Sequence, residues 1–111
     1  MESWDAFLGN EIPNALAVAV TVSADEIAVD LVDGRTVIAP LGWYPRLVHA
    51  NAKERNNWRL IGKGVGIHWP DLDEDISISN LLLGQPSGES QQSLQKWLAG
   101  RGNMKKRKTG N

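Results

Sequence analysis

The sequence predicts a single small α+β domain: a small antiparallel sheet of about five short strands, two to three helices, and a disordered basic C-terminal tail. Three observations predict it. Ala15 to Val22 alternates smaller and larger apolar residues with a period of two, the signature of a strand. Asp33-Gly34, a pair suited to the positive φ angles of a tight hairpin, separates two further apolar runs. Beyond them, proline and glycine cut the chain into pieces of strand or helix length. With 111 residues, 41% hydrophobic and 23% charged, the chain suits one modest core and not two. The expected organisation is an extension over 1–14, one domain over 15–101 and a tail over 102–111.

Each element has its own reason. In the first strand Leu16, Val18, Val20 and Val22 make the larger face, with Ala15, Ala17, Ala19 and Thr21 opposite. Ile27, Val29 and Leu31 form the second strand and Thr36, Val37 and Ile38 the third. A two-residue turn at Asp33-Gly34 would pair Val29 with Ile38 and Leu31 with Thr36 on the core side. Pro40 ends the third strand, and Pro45 opens a helix that should run to about Asn56, with Leu47, Val48, Ala50 and Ala52 as its apolar stripe. Trp58, Leu60 and Ile61 and then Val65 to Trp69 read as two strands around a Gly62-Lys63-Gly64 turn. Asp73, Glu74 and Asp75 precede Ile76, Ile78 and Leu81 to Leu83 as helix-capping acids would, and Gly84 stops that helix. Gln85 to Glu89 reads as a linker. Leu94, Trp97 and Leu98 then mark a final helix ending near Gly100.

Composition narrows the chemistry. Without cysteine there is no disulfide and no thiolate metal site, which fits the cytoplasm. The acidic start MESWDAFLGNEI lacks the basic opening of a signal peptide, and no apolar run approaches the ~20 residues of a membrane span. Residues 1–100 carry 7 basic and 13 acidic side chains, whereas 101–111 carry 5 basic and none acidic. An acidic body thus bears a basic end, in which Lys105, Lys106, Arg107 and Lys108 could contact nucleic-acid phosphates. The acidic body opposes that use, and the tail could equally meet the body of a second copy.

The most distinctive residues are Gly42-Trp43-Tyr44-Pro45-Arg46-Leu47 and the run His68-Trp69-Pro70-Asp71-Leu72-Asp73-Glu74-Asp75-Ile76, followed by Glu89-Ser90-Gln91-Gln92-Ser93-Leu94-Gln95-Lys96-Trp97-Leu98. Together with Arg55 and Trp58, these segments resemble the bacterial family known as domain of unknown function 2442, over about Val18 to Arg101. The resemblance implies a domain of this size and order, often encoded beside another small protein, and hence a toxin and antitoxin or another two-component pair. It implies no activity and does not extend to the basic tail.

Read as chemistry, His68 with Asp71, Asp73, Glu74 and Asp75 could form an oxygen-rich metal site or, through His68, Asp73 and Asp75, an acid-base centre. The spacing disagrees with a calcium loop opened at Asp71, since Ile76 and Leu82 stand where glycine and glutamate belong. Helix capping and ion pairing by these acids is the simpler reading. Gly62 to Gly66 lacks the Lys-Ser/Thr ending of a phosphate loop and precedes a strand. Five tryptophans, at positions 4, 43, 58, 69 and 97, are many for this length. Trp43 and Trp69, beside prolines, suit the core, while Trp58 and Trp97 stand at element edges. The reading that follows is a noncatalytic protein-interaction module, with no cofactor, that contacts a partner through Arg46, Trp58, Asp71, Asp73, Glu74, Asp75 and Trp97. A nucleic-acid-linked regulator using the tail and a small enzyme are the alternatives.

Overall fold

The computed structural model describes residues 15–109, with side chains described as far as Arg101. The extension expected over 1–14, including Trp4, lies outside the described residues, as do the side chains of Lys105, Lys106, Arg107 and Lys108. Two antiparallel three-stranded meanders form the β part. The first holds β1 (Ala17–Val22), β2 (Glu26–Leu31) and β3 (Thr36–Pro40) in that spatial order. The second holds β4 (Arg59–Ile61), β5 (Gly66–Trp69) and β6 (Glu74–Ser77). Between them lie α1 (Pro45–Val48) and α2 (Ala52–Asn56), and after them α3 (Ile78–Leu82) and α4 (Gln91–Thr109). The α+β class holds, and among the described residues six strands in two sheets stand where one sheet of about five was expected.

The hairpin β2-β3 sits where Asp33-Gly34 predicts it, with a different register. The Leu31 N–H donates to the Arg35 carbonyl, and Gly34, at φ 97°, closes a three-residue loop of Val32, Asp33 and Gly34. The extra residue moves the pairing by one. Val29 therefore faces Val37, and Ile27 faces Ala39. Ile27, Val29 and Leu31 are buried, whereas Ile38, expected inside, is 58% exposed. Strand β1 departs from strict alternation too. An irregularity between Ala17 and Ala19 shifts its phase, so Ala15, Ala17 and Val20 point inward while Val18 faces out.

The helix expected from Pro45 to Asn56 is two helices. Arg55 donates to the Leu47 and Val48 carbonyls at 2.9 and 3.0 Å, satisfying acceptors at the end of α1. Asn51 then starts α2 with a capping box: its side chain accepts from the Glu54 N–H, and the Glu54 carboxylate accepts from the Asn51 N–H. The Asn51-x-x-Glu54 pattern is a sequence signal for this break.

The acids before α3 do not cap it. Glu74 to Ser77 pair with β5 as a strand, and Ser77 takes the cap, accepting from the Asn80 N–H at 3.3 Å. The last helix is capped by Ser90, and its backbone continues to Thr109, past the end near Gly100 suggested by the sequence.

A single core joins the two meanders, with Val29 and Leu31 from one sheet, Ile67, Trp69 and Ile76 from the other, and Leu41, Leu47, Leu72, Ile78 and Leu81 around them. The two meanders meet tightly at Gly64, in the turn between β4 and β5. At φ 108° it lies against the backbone of Ala17, where an added Cβ would come within 2.4 Å of the carbonyl oxygen. Among the described residues no helix is long and apolar enough to cross a membrane.

Candidate functional site

The segment Asp71 to Ser77 alternates outward and inward residues, and this sorts the acids. Leu72, Glu74 and Ile76 are buried, while Asp71, Asp73 and Asp75 point out. Asp71 accepts from the Asn57 side chain at 3.0 Å, beside Trp58. Asp73 has a left-handed backbone, φ 52°, and its carboxylate is 91% exposed. Asp75 meets His68 directly across the β5-β6 ladder, with Nδ1 and Oδ1 2.5 Å apart. His68, Asp73 and Asp75 thus do not converge: only His68 and Asp75 touch. Among the described residues no group of three or more His, Cys, Asp or Glu side chains could hold a metal ion.

Arg46 organises the inner side. From α1 its Nε and Nη2 donate to the two Glu89 oxygens at 2.8 Å each, while Nη1 donates to the carbonyls of Leu72 at 3.0 Å and Asp73 at 3.1 Å. The pair is nearly buried, with side chains 15% and 8% exposed. Ser93 donates to the same Glu89 carboxylate. Hydrogen bonds from Arg46 and Ser93 hold Glu89 below the usual carboxylate range, and the bond to Glu89 raises Arg46 further above its ordinary value.

Trp97, on α4, lies between two guanidinium groups. Arg46 is 5.0 Å from its ring centre and Arg101 4.6 Å. Arg101 in turn grips Glu54 through two bonds, at 2.9 and 3.1 Å. The order Glu89, Arg46, Trp97, Arg101, Glu54 makes one continuous strap by which α4 and Glu89, two residues ahead of it, are fastened to α1 and α2. Arg46 and Trp97, expected at a partner surface, are therefore committed to an internal contact. Trp58, Trp43 and Trp97 are partly buried against the core, and Trp69 is fully buried, donating from Nε1 to the Arg55 carbonyl.

Glu74 is the acid that the sequence reading misplaced most. It is 9% exposed, on the inner face of β6, and its carboxylate makes no hydrogen bond among the described residues. Burial pushes it up to about 7, against the opposing pull of Arg46, and the charges of Glu89, Asp75 and Asp73 push the same way as burial. Tyr44 lies near it, pushed up to about 12 by burial and by the Glu74 charge. Its hydroxyl is buried with no hydrogen-bond partner among the described residues. Sequence spacing did signal this inward position: Glu74 shares strand parity with Ile76.

Comparison with known proteins agrees with the fold. A protein of unknown function from Rhodospirillum rubrum, known from a crystal structure, is similar at 28% identity and a TM-score of 0.58, covering 67% of this chain and 92% of that one. An uncharacterised protein from Chromobacterium violaceum, known from a solution structure, shares the fold at 20% identity and a TM-score of 0.61, covering 90% and 86%. No curated protein matches. The family model described as "Protein of unknown function (DUF2442)" matches residues 17–87, which hold both meanders, the first three helices and the acidic turn, and the chain belongs to that family.

Proposed function

We propose that this chain is a noncatalytic protein-interaction module of the cytoplasm, the antitoxin-like or regulatory half of a small bacterial two-gene complex. The observation that carries the reading is the acidic turn. Asp71, Asp73 and Asp75 point outward, and the backbone beneath them is held by two bonds from Arg46 to the Leu72 and Asp73 carbonyls. A turn fixed in this way loses little conformational freedom on binding, so its charges are prepared for a complementary basic surface. Trp58, beside the Asn57 that holds Asp71, supplies an aromatic neighbour for the same contact. Of the residues assigned to the partner, Arg46, Glu74 and Trp97 support the turn from within.

The test is a pull-down of the full chain with the product of its adjacent gene, repeated with Asp71, Asp73 and Asp75 all changed to asparagine. The expected result is a complex at micromolar concentration that weakens with salt and loses at least about tenfold in affinity in the triple variant. Absence of a complex, or a complex indifferent to the three charges, would overturn the reading.

A further inference from the structure

One guanidinium serves both the acidic turn and the last helix. Arg46 gives Nη1 to the carbonyls of Leu72 and Asp73, at 3.0 and 3.1 Å, and gives another edge, Nε and Nη2, to the two oxygens of Glu89. The same group lies over the Trp97 ring, 5.0 Å from its centre. An arginine side chain has many rotamers, and two carbonyls alone would leave much of that freedom in place. The charge-assisted fork to Glu89 fixes the plane of the guanidinium, and the ring closes off one of its faces.

The turn needs such a hold. Asp73 has φ 52°, a left-handed conformation that a residue with a side chain keeps only where its surroundings impose it, and its carbonyl is one of the two that Arg46 grips. The Asp73 carboxylate adds little to that grip, being 91% exposed and 4.0 Å from Nη1. Glu89 spends its oxygens on Arg46 and Ser93, and Trp97 offers its ring to Arg46 and Arg101, so what either does for the turn passes through Arg46.

We propose that the docking of α4 sets the affinity of the acidic turn for its partner, with Glu89 and Trp97 as positioning residues that hold Arg46 in the rotamer the turn requires.

This control rests on the reading of the turn as a binding surface. α4 is built to exercise it. Residues 85–90 join it to α3 without helix or strand, and of its side chains described as far as Arg101 only Leu94 is buried. Its grip on the body runs instead through the long polar pairs Glu89–Arg46 and Arg101–Glu54, so it can part from the domain without opening the core shared by the two meanders. Linkage makes the coupling mutual: detaching α4 lowers the affinity of the turn, and a partner seated on the turn tightens α4 by the same factor.

The experiment compares the full chain with Glu89→Gln, with Trp97→Ala and with Gln95→Ala, a control on the exposed side of α4. Amide exchange is followed at Leu72, whose N–H donates to the Trp69 carbonyl in the turn, at Leu94, whose N–H donates to the Ser90 carbonyl at the start of α4, and at Val29 in the core. The first two variants are expected to speed exchange at Leu72 about fivefold or more while Val29 stays unchanged. They should weaken binding of the adjacent gene's product by a similar factor, although all three aspartates remain. Gln95→Ala should alter neither, and complex formation by the parent should slow exchange at Leu94. Parental exchange at Leu72 in both variants, an undiminished affinity, or a rise shared equally by Leu72 and Val29 would overturn the coupling. Absence of any complex would sink the binding reading and the affinity claim with it, whereas faster exchange at Leu72 alone would still establish that α4 holds the turn.

Discussion

Arg46 and Glu89 meet edge to edge, two nitrogens to two oxygens at 2.8 Å each, across 43 positions of sequence. The contact joins the short helix that follows the first sheet to the segment that leads into the last helix. Replacing Arg46 by alanine leaves a nearly buried carboxylate and two backbone carbonyls without their donor. The expected loss is about 3 kcal/mol of unfolding free energy, read by urea denaturation. Lysine at the same place should recover only part of this, because one ammonium cannot copy the planar fork.

Gly64 should tolerate no side chain. Gly64→Ala sets a methyl group against the Ala17 backbone and forces a left-handed conformation on a residue with a Cβ. Thermal unfolding of this variant should show a loss of about 2–4 kcal/mol. A stability equal to that of the parent would mean that the two meanders do not meet there.

Ser77→Ala should cost about 1 kcal/mol, because the hydroxyl oxygen accepts from the Asn80 N–H at the start of α3. Asp73→Ala should leave that helix end unchanged. Amide exchange at Asn80 separates the two: faster in the serine variant, unaltered in the aspartate one.

Glu74 makes stability depend on pH in an unusual direction for an acid. Its folded-state value, about 7, lies above the 4.5 of an unperturbed glutamate, so between these values the folded chain binds the extra proton. Its contribution is therefore full below about 4.5, falls as pH rises toward 7, and is constant above. Denaturation midpoints across this range should decline in the parent relative to Glu74→Gln, and parallel curves would contradict the assignment.

Much of the fold was legible because it rests on local pattern. The strands around Asp33-Gly34, the turn at Gly62-Lys63-Gly64 and the break at Pro40 all follow from the residues themselves. The errors came where one residue decides between two patterns. A three-residue loop in place of a two-residue one exchanged Val37 and Ile38 between core and surface. Asn51 divided one helix into two by supplying a new cap in mid-stripe. The DLDED run looked like a helix preface because acids favour helix starts, yet Asp71 to Asp73 form a turn and Glu74 and Asp75 open a strand, with Glu74 and Ile76 on its inner face. Arg46 and Trp97 were recognisable as members of one neighbourhood. That they face inward depends on Glu89 and Arg101, partners too distant in sequence to be paired by spacing alone.

The irregularity in β1 bears on the company this protein keeps. β1 is an outer strand of its sheet, and an outer strand carries a row of hydrogen-bonding groups that a foreign strand could extend. The shift between Ala17 and Ala19 spoils the even spacing such an extension needs. On the opposite edge β3 ends in Pro40, which has no N–H to offer. With Val18 and Ile38 open to water on this sheet, an unbroken edge would invite fibre growth, and these two small faults protect the domain from aggregating with itself.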